Sequence, residues 1–240
     1  MRLSAEATLM LLAAALYLFD CFYLLRSNEA LLIRGQKRWT ARFGSRNWML
    51  AGREPCMVNV LAPHRPTYKL AWRFEAEGAA KESNPLAPNS VVSRFAPFAY
   101  MGLALIFVGL PLALFANLGM VFTLSVVLGI YANNLLALSI LFVTCDRVGL
   151  TKARYWGLAF ECFVCPPFCI QLAKRLYALQ PVPADFVQVA TSLLLPEDTM
   201  DVHRQCLARL DDQIAYEEEG SVRALALHQS RKRFSGGGIA

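Results

Sequence analysis

Three cysteines in one apolar segment are the residues whose spacing most resembles a site for chemistry. Cys162, Cys165 and Cys169 have the spacing C-x2-C-x3-C. A structural zinc site needs four ligands, and no fourth cysteine or histidine lies near them in sequence; iron–sulfur runs also contain more cysteines. Because a buried cysteine otherwise behaves as a small apolar side chain, we expect these thiols to pack or to carry reversible palmitoylation. We expect no metal and no other cofactor.

Two acidic residues lie in otherwise apolar segments. Asp20 is near the end of the N-terminal apolar run, and Glu161 lies beside the cysteines. A carboxylate inside a bilayer is costly and tends to mark a function or a binding partner. Asp20 therefore has two interpretations: an interfacial carboxylate that reaches toward the headgroups or pairs with Arg26, and an intramembrane functional acid. Asn133 and Asn134, in another apolar stretch, are predicted to form hydrogen bonds between helices, with the lining of a pathway as the alternative.

The sequence lacks the motifs of the common catalytic sites. It contains no G-x-S-x-G, no P-loop, no G-x-G-x-x-G and no H-E-x-x-H, the patterns that place nucleophiles, phosphates, dinucleotides and zinc. The three histidines, His64, His203 and His228, fall in a predicted turn, a predicted helix and the C-terminal tail. We therefore predict that the protein is not an enzyme; a membrane enzyme that uses Glu161, Asp20 or the cysteines is the least favoured function class.

The stretch 95–145 organises the chain. From Phe95 to Thr144 there is no Lys, Arg, Asp, Glu or His. One span of a hydrocarbon core of about 30 Å takes roughly 20 residues, so this stretch predicts a transmembrane helical hairpin, with its turn at Asn117-Leu118-Gly119. Pro111 is predicted to kink its helix. A hydrophobic content of 56% and a mean hydropathy of +0.37 agree with an integral membrane protein.

Two further segments are predicted to meet the membrane. Residues 1–25 predict a first transmembrane helix; a signal peptide is the alternative, but no small-residue cleavage site follows, which favours an uncleaved anchor. Residues 146–180 predict interfacial or re-entrant helices that bend at Pro166 and Pro167, because basic residues stand on both sides and a double proline cannot continue a helix across the bilayer centre. A fourth full span over this segment is the alternative.

The loop 26–94 has a different composition, with twelve basic residues against five acidic ones. The positive-inside rule then places this loop in the cytoplasm and the N-terminus outside. Alternation of apolar and polar residues from Tyr68 to Glu75 predicts a strand, and weaker strands are predicted at 30–34, 38–43, 47–50 and 57–61, followed by a linker over 75–89. We expect one group of basic side chains to bind anionic lipid headgroups. These are Arg34, Lys37, Arg38, Arg42 and Arg46.

Residues 181–240 predict a cytoplasmic helical tail. A short helix is expected at 184–192, and a second helix starts at Pro196 because proline and acidic residues favour the first turn. The stretch from Ser230 to Ala240 is predicted to be disordered.

These segments predict a mainly α integral membrane protein. In chain order it has an N-terminal transmembrane helix, a small antiparallel β-rich cytoplasmic loop domain, a transmembrane hairpin, re-entrant or interfacial helices, and C-terminal cytoplasmic helices. We expect a non-catalytic scaffold or accessory subunit of a bacterial inner-membrane complex, which docks partners through the β-rich module and C-terminal helices. The alternative is a subunit of an oligomeric transporter or channel. Expected partners are anionic lipids and membrane or cytoplasmic proteins, including other copies of the chain, and not nucleic acid.

Overall fold

The structure, a computed structural model, describes residues 4–58, 60–72, 90–116, 118–179, 185–216 and 221–236. These residues are mainly helical. The helices are α1 (Ala5–Cys21), α2 (Ser90–Ser93), α3 (Ala96–Ala104), α4 (Leu110–Phe115), α5 (Met120–Val148), α6 (Lys152–Val164), α7 (Pro167–Ile170), α8 (Leu172–Leu179), α9 (Phe186–Leu193), α10 (Pro196–Tyr216) and α11 (Val222–Gly236). The strands are β1 (Phe22–Leu25), β2 (Glu29–Arg34), β3 (Trp39–Arg42), β4 (Glu54–Met57) and β5 (Thr67–Ala71).

The chain divides into two compact units. The first consists of Met1–Tyr23, Met57–Pro66 and Ala87–Pro181, and the second of Leu24–Cys56, Thr67–Leu86 and Val182–Ala240. The apolar helices α1 to α8 therefore belong to the first unit, while the three-stranded sheet and helices α9 to α11 belong to the second.

Helix α1 is shorter than the sequence predicts. It begins behind Ser4, whose Oγ accepts a hydrogen bond from the Ala7 N–H over 3.2 Å. It ends at Cys21, and the predicted continuation over 22–25 is wrong because those residues form β1, which pairs with β4. A short run of large apolar residues fits a buried strand as well as a helix, so strand pairing decided its structure.

Two helical stretches are long and apolar enough to cross a membrane. They are Val91–Phe115 and Met120–Val148, with mean hydropathies of 2.2 and 2.1 in their most apolar parts. The first stretch contains a π-helical turn over Leu105–Gly109, directly before Pro111, and the Leu110 N–H donates to the Leu105 carbonyl, five residues back. Proline has no N–H and its ring crowds the preceding turn, so the wider turn accommodates the ring.

The turn between these stretches lies where the sequence predicts it. Helix α4 ends at Phe115 and α5 begins at Met120, behind Gly119, whose φ of 90° favours glycine. Asn117, the first residue of the predicted turn, lies outside the described residues. The core of this unit joins α1, α3, α4, α5, α7 and the π-helical turn. Its buried members are Tyr17, Cys21, Ala99, Ile106, Ala113, Val126, Ile130 and Ile170.

The second unit contains an antiparallel sheet with the strand order β3-β2-β5. Leu32 on the central strand lies opposite Ala41 on one side and Tyr68 on the other. The predicted alternation holds in β5 and just after it, since Tyr68, Leu70 and Trp72 are buried. The predicted strands at 47–50 and 57–61 are wrong: only Leu50 in the first makes a strand-like bridge, and β4 ends at Met57. The linker over 75–89 lies outside the described residues.

The C-terminal helices begin close to their predicted starts. Asp185 caps α9, its Oδ1 accepting from the Val187 N–H over 2.8 Å, and α10 begins at Pro196. Aromatic packing of Phe43 and Trp72 against Phe186, with ring centroids 5.6 and 5.8 Å away, holds α9 to the rest of the unit. Disorder over 230–236 was a wrong expectation because α11 continues to Gly236; residues 237–240 lie outside the described part.

Candidate functional site

The first candidate site is an ion cluster in the first unit, built around Arg175 of α8. The Arg175 guanidinium binds Asp20 of α1 with two nitrogens, Nε at 3.2 Å from Oδ2 and Nη2 at 2.8 Å from Oδ1. Its third nitrogen, Nη1, donates to Oε2 of Glu161 on α6 over 2.5 Å. The planar guanidinium, which offers donors in a fork, therefore joins the two acidic side chains that the sequence singles out.

Neighbouring polar groups fix the same end of α1. The Lys174 ammonium donates to the Asp20 carbonyl and lies 4.4 Å from the Tyr23 ring centroid. The Gln171 amide donates to the Cys21 thiol over 2.7 Å. Gln171, directly before α8, and Lys174 on α8 are only 1% and 5% exposed. These polar side chains therefore pack into protein instead of facing water. The last carbonyl groups of a helix lack partners within the helix, and Lys174 supplies a donor to one of them, that of Asp20.

The partner of Asp20 differs from the expected one. The sequence suggested Arg26, but Asp20 pairs with Arg175, 155 residues along the chain. The backbone N–H of Arg26 donates instead to Glu29 over 2.7 Å. The side chains of Asp20 and Arg175 are 17% and 19% exposed, whereas Glu161 is 52% exposed. The Asp20–Arg175 pair is therefore the more enclosed half of the cluster.

The paired asparagines reach two different helices. Asn133 donates to the Phe98 carbonyl of α3 over 3.2 Å, and Asn134 donates to the Cys162 carbonyl of α6 over 3.4 Å. Helix α6 ends at Val164 and α7 begins at Pro167, behind its N-cap Pro166, so the helix is interrupted at the double proline where the sequence predicts a break. Cys162 and Cys169 are buried free thiols, and the described residues contain no group of three or more His, Cys, Asp or Glu side chains arranged to hold a metal ion.

The second candidate site is a cleft of about 540 Å³ in the second unit. Helix α10 supplies one wall with Arg209, Asp212, Gln213 and Tyr216. The other lining residues come from the N-terminal part of the second unit and are Ser27, Arg46, Asn47, Met49 and Glu54. These residues come from distant parts of the sequence, and only the packing of α10 brings them together.

The floor of the cleft is a buried ion pair. Arg209 Nη2 lies 2.8 Å from Glu54 Oε2, and both side chains are 4% exposed. The same nitrogen donates to the Gly44 carbonyl over 2.8 Å, and the guanidinium lies 4.7 Å from the Phe43 ring centroid. Gly44 is required here, because an added Cβ would lie 2.2 Å from the Cβ of Glu54.

The rim of the cleft is more open. Arg46 and Asp212 form an ion pair of 2.5 Å in which both side chains are 46% exposed. Gln213 donates to the Ser27 hydroxyl over 2.5 Å, and Tyr216 is 90% exposed. The cleft thus combines a fixed floor, formed by a paired Arg209 and Glu54, with accessible polar and aromatic groups at its rim, an arrangement suited to binding.

The five basic residues predicted to bind lipid do not share one environment. Lys37 and Arg38 are exposed in the turn between β2 and β3, and Arg34 and Arg42 are exposed on those strands. Arg34 lies over the Trp39 ring at 5.9 Å. Arg46 forms an ion pair with Asp212 of α10.

Sequence reasoning missed the cationic centre of each site. Arg175 lies on the polar face of the segment predicted to form an interfacial helix, and Arg209 lies between Cys206 and Leu210 in the helix predicted from Pro196; neither was predicted as a site residue. The available signal at Arg209 was its place beside the apolar stripe of α10, since a buried arginine needs an acidic partner. No family model, curated protein or solved structure matches this chain, so its function has to be inferred from the ion cluster and the cleft.

Proposed function

We propose that this chain is a non-catalytic scaffold or accessory subunit of a membrane protein complex. In this proposal the first unit anchors the chain in a bacterial inner membrane, and the second unit docks other proteins on the cytoplasmic side. The observation that carries the proposal is the open cleft along α10, whose floor is fixed by the Arg209–Glu54 pair.

Support for the anchor comes from apolar side chains that point away from the fold. In the most apolar parts of Val91–Phe115 and Met120–Val148, only 22% and 39% of residues are buried. The exposed side chains of α5 include Val121 and Val143, each 81% exposed. Water would penalise such a surface, whereas hydrocarbon tails would cover it. Helix α1 adds Phe19 at 74% exposure.

The proposed orientation follows from charge. Basic residues outnumber acidic ones by twelve to five in 26–94, and Arg26, Arg34 and Arg94 lie near the ends of the predicted spans, where lysine and arginine weigh most in keeping a loop cytoplasmic. The N-terminus and the turn at Asn117 then lie outside. A reporter inserted in the linker 77–89 should therefore be active in the cytoplasm, and one inserted at Asn117 should be active outside. Opposite activities would reverse the orientation.

The cleft suits a protein partner because its accessible groups are spread along an open surface. Asn47 and Tyr216 are exposed beside the Arg46–Asp212 pair. Tyrosine and arginine are enriched at protein interfaces, where they combine apolar area with hydrogen bonding.

Photocrosslinking in native membranes tests the docking proposal. A photoreactive amino acid at Asn47 in the cleft should crosslink to a defined protein, whereas one at Gln36, an exposed amide on the β2–β3 turn, should not. Replacing Asp212 by Arg should abolish that crosslink while leaving the amount of chain in the membrane unchanged. Equal crosslinking from both positions, or insensitivity to Asp212→Arg, would contradict docking at the cleft.

A transporter or channel subunit is the second candidate. The Asp20–Arg175–Glu161 cluster favours it, because ionisable side chains among apolar helices often mark transport pathways. In the scaffold proposal Arg175 pairs with both acids, and the cluster only holds α1, α6 and α8 together. A detergent-purified chain that forms a closed homo-oligomer, and whose Asp20→Asn variant loses ion flux in vesicles, would favour transport. Co-purification with a different subunit at fixed stoichiometry would favour the scaffold.

A further inference from the structure

Residues 45–55 form a hairpin on the second unit. The Ser45 N–H donates to the Pro55 carbonyl over 3.1 Å at its base. At the other end Leu50 and Arg53 exchange two backbone hydrogen bonds, of 2.8 and 3.1 Å. Ala51 and Gly52 between them have φ values of 51° and 71°, and positive φ at both central residues defines the tight turn that suits a twisted hairpin. The hairpin therefore has a fixed shape.

Three consecutive apolar side chains precede this turn and form what we call the tip. They are Trp48, Met49 and Leu50, and they are 58%, 58% and 49% exposed. Large apolar side chains gathered on an exposed turn mark an interaction surface. Ala51 strengthens that interpretation, because an alanine with positive φ carries backbone strain, which concentrates at functional sites.

The charge around the tip has a single sign in sequence. From Arg34 to Arg53 the chain has basic residues and no aspartate or glutamate. Arg53, directly after the turn, is exposed, as is Arg42 on the strand that leads into the hairpin. Arg46 is half exposed although it pairs with Asp212.

We propose that the tip inserts into the headgroup region of an anionic lipid bilayer, with Arg53 binding a lipid phosphate. Tryptophan favours the membrane–water interface, and arginine stems lie along apolar surface while the charge stays at the phosphates. A protein would have to offer apolar and acidic surface together to match the tip and its bases, whereas an anionic bilayer presents both everywhere. The proposal builds on the membrane anchor of the proposed function and adds a second contact between the chain and the lipid surface.

Contact quenching in the full-length chain tests this inference. An environment-sensitive fluorescent amino acid replaces Leu50 at the tip or, as the control, Met200 on α10, which is 53% exposed. Each variant is reconstituted into phosphatidylcholine vesicles or into mixed phosphatidylcholine and phosphatidylglycerol vesicles. Both kinds of vesicle contain lipids with bromine, which quenches fluorescence on contact, near the headgroups. The probe at residue 50 should shift to shorter wavelength and be quenched in the anionic vesicles only, and the probe at residue 200 should not.

Two substitutions sharpen the result. Arg53→Gln should lower the quenched fraction about fivefold, the factor expected for loss of one basic side chain near an anionic surface. Trp48→Ser should lower it as well, and neither variant should unfold the chain because both side chains are exposed. Equal behaviour of the probes at 50 and 200, equal quenching in both kinds of vesicle, or photocrosslinking of residue 50 to protein instead of lipid would overturn the inference.

The anchor is tested separately by extraction of native membranes with alkaline carbonate. If the chain resists carbonate extraction but shows no quenching at residue 50, the proposed anchor is supported and the proposed insertion of the tip is overturned. Release of the chain by carbonate would overturn the proposed anchor. The tip is then tested by adding anionic vesicles to the released chain: quenching at residue 50 supports insertion, and absence of quenching overturns it.

Discussion

Replacing Arg209 by Met should destabilise the second unit and increase the population of its locally unfolded, open state. The substitution removes the partner of Glu54, whose side chain is 4% exposed, and removes the hydrogen bond to the Gly44 carbonyl. Breaking a buried ion pair from one side costs about 3–5 kcal/mol, since the remaining charge stays buried without compensation. A loss of about 3 kcal/mol corresponds to at least a hundredfold increase in the population of the open state.

Cys206 provides the assay, because it lies on α10 one turn before Arg209 and is 2% exposed. Burial raises the pKa of the Cys206 thiol to about 12, so the folded chain reacts poorly with a maleimide and labelling reports opening. In full-length chain whose only cysteine is Cys206, Arg209→Met should accelerate labelling at least about a hundredfold. Intact-mass spectrometry at fixed pH follows the reaction.

Two variants control for the loss of charge and of packing. Arg204→Met removes an exposed pair on the same helix, 3.3 Å from Asp201, and should change the labelling rate by less than about fivefold because exposed pairs contribute at most about 1 kcal/mol. Arg209→Met combined with Glu54→Leu removes both charges of the buried pair. Cys206 in this double variant should therefore be labelled more slowly than in Arg209→Met alone. Labelling of Arg209→Met at the parental rate, or no rescue in the double variant, would refute the reasoning.

Three other substitutions have expected outcomes. Gly44→Ala should destabilise the second unit by about 1–3 kcal/mol, seen as faster Cys206 labelling, because the methyl group meets a facing Cβ at 2.2 Å. Ala51→Gly should stabilise it by about 0.5–1 kcal/mol and slow the same reaction, since glycine tolerates the φ of 51°. Asp20→Asn should lower the melting temperature in detergent more than Glu161→Gln, because the Asp20 side chain is 17% exposed and Glu161 is 52% exposed; an equal or reversed order would contradict the assignment of Asp20 as the enclosed partner.

Local signals predicted the elements that depend on neighbouring residues. The apolar run from Phe95 to Thr144, with its glycine at 119, predicted two long helices and the turn between them. Pro196 predicted the start of α10, and the alternation from Tyr68 to Trp72 predicted a strand with one buried face. These predictions depend on periodicity, capping and turn chemistry, which act over a few residues.

Tertiary structure overrode weaker local signals. Residues 22–25 continue an apolar run, but pairing with β4 makes them a strand. Residues 47–50 look like a strand, but the strained turn at Ala51 and Gly52 makes them the arm of a short hairpin. Strand formation needs a partner, and a single sequence does not say where that partner lies.

The two candidate sites were decided by tertiary structure. The sequence alone marked Asp20 and Glu161 as residues that need a partner, because a charge among apolar residues is costly. Only the fold showed that Arg175 meets both, and that Arg209 meets Glu54, 155 residues away. The cost of burying a charge can be read from its neighbours in sequence, but the partner that offsets it is set by which helix ends and strands come together in space.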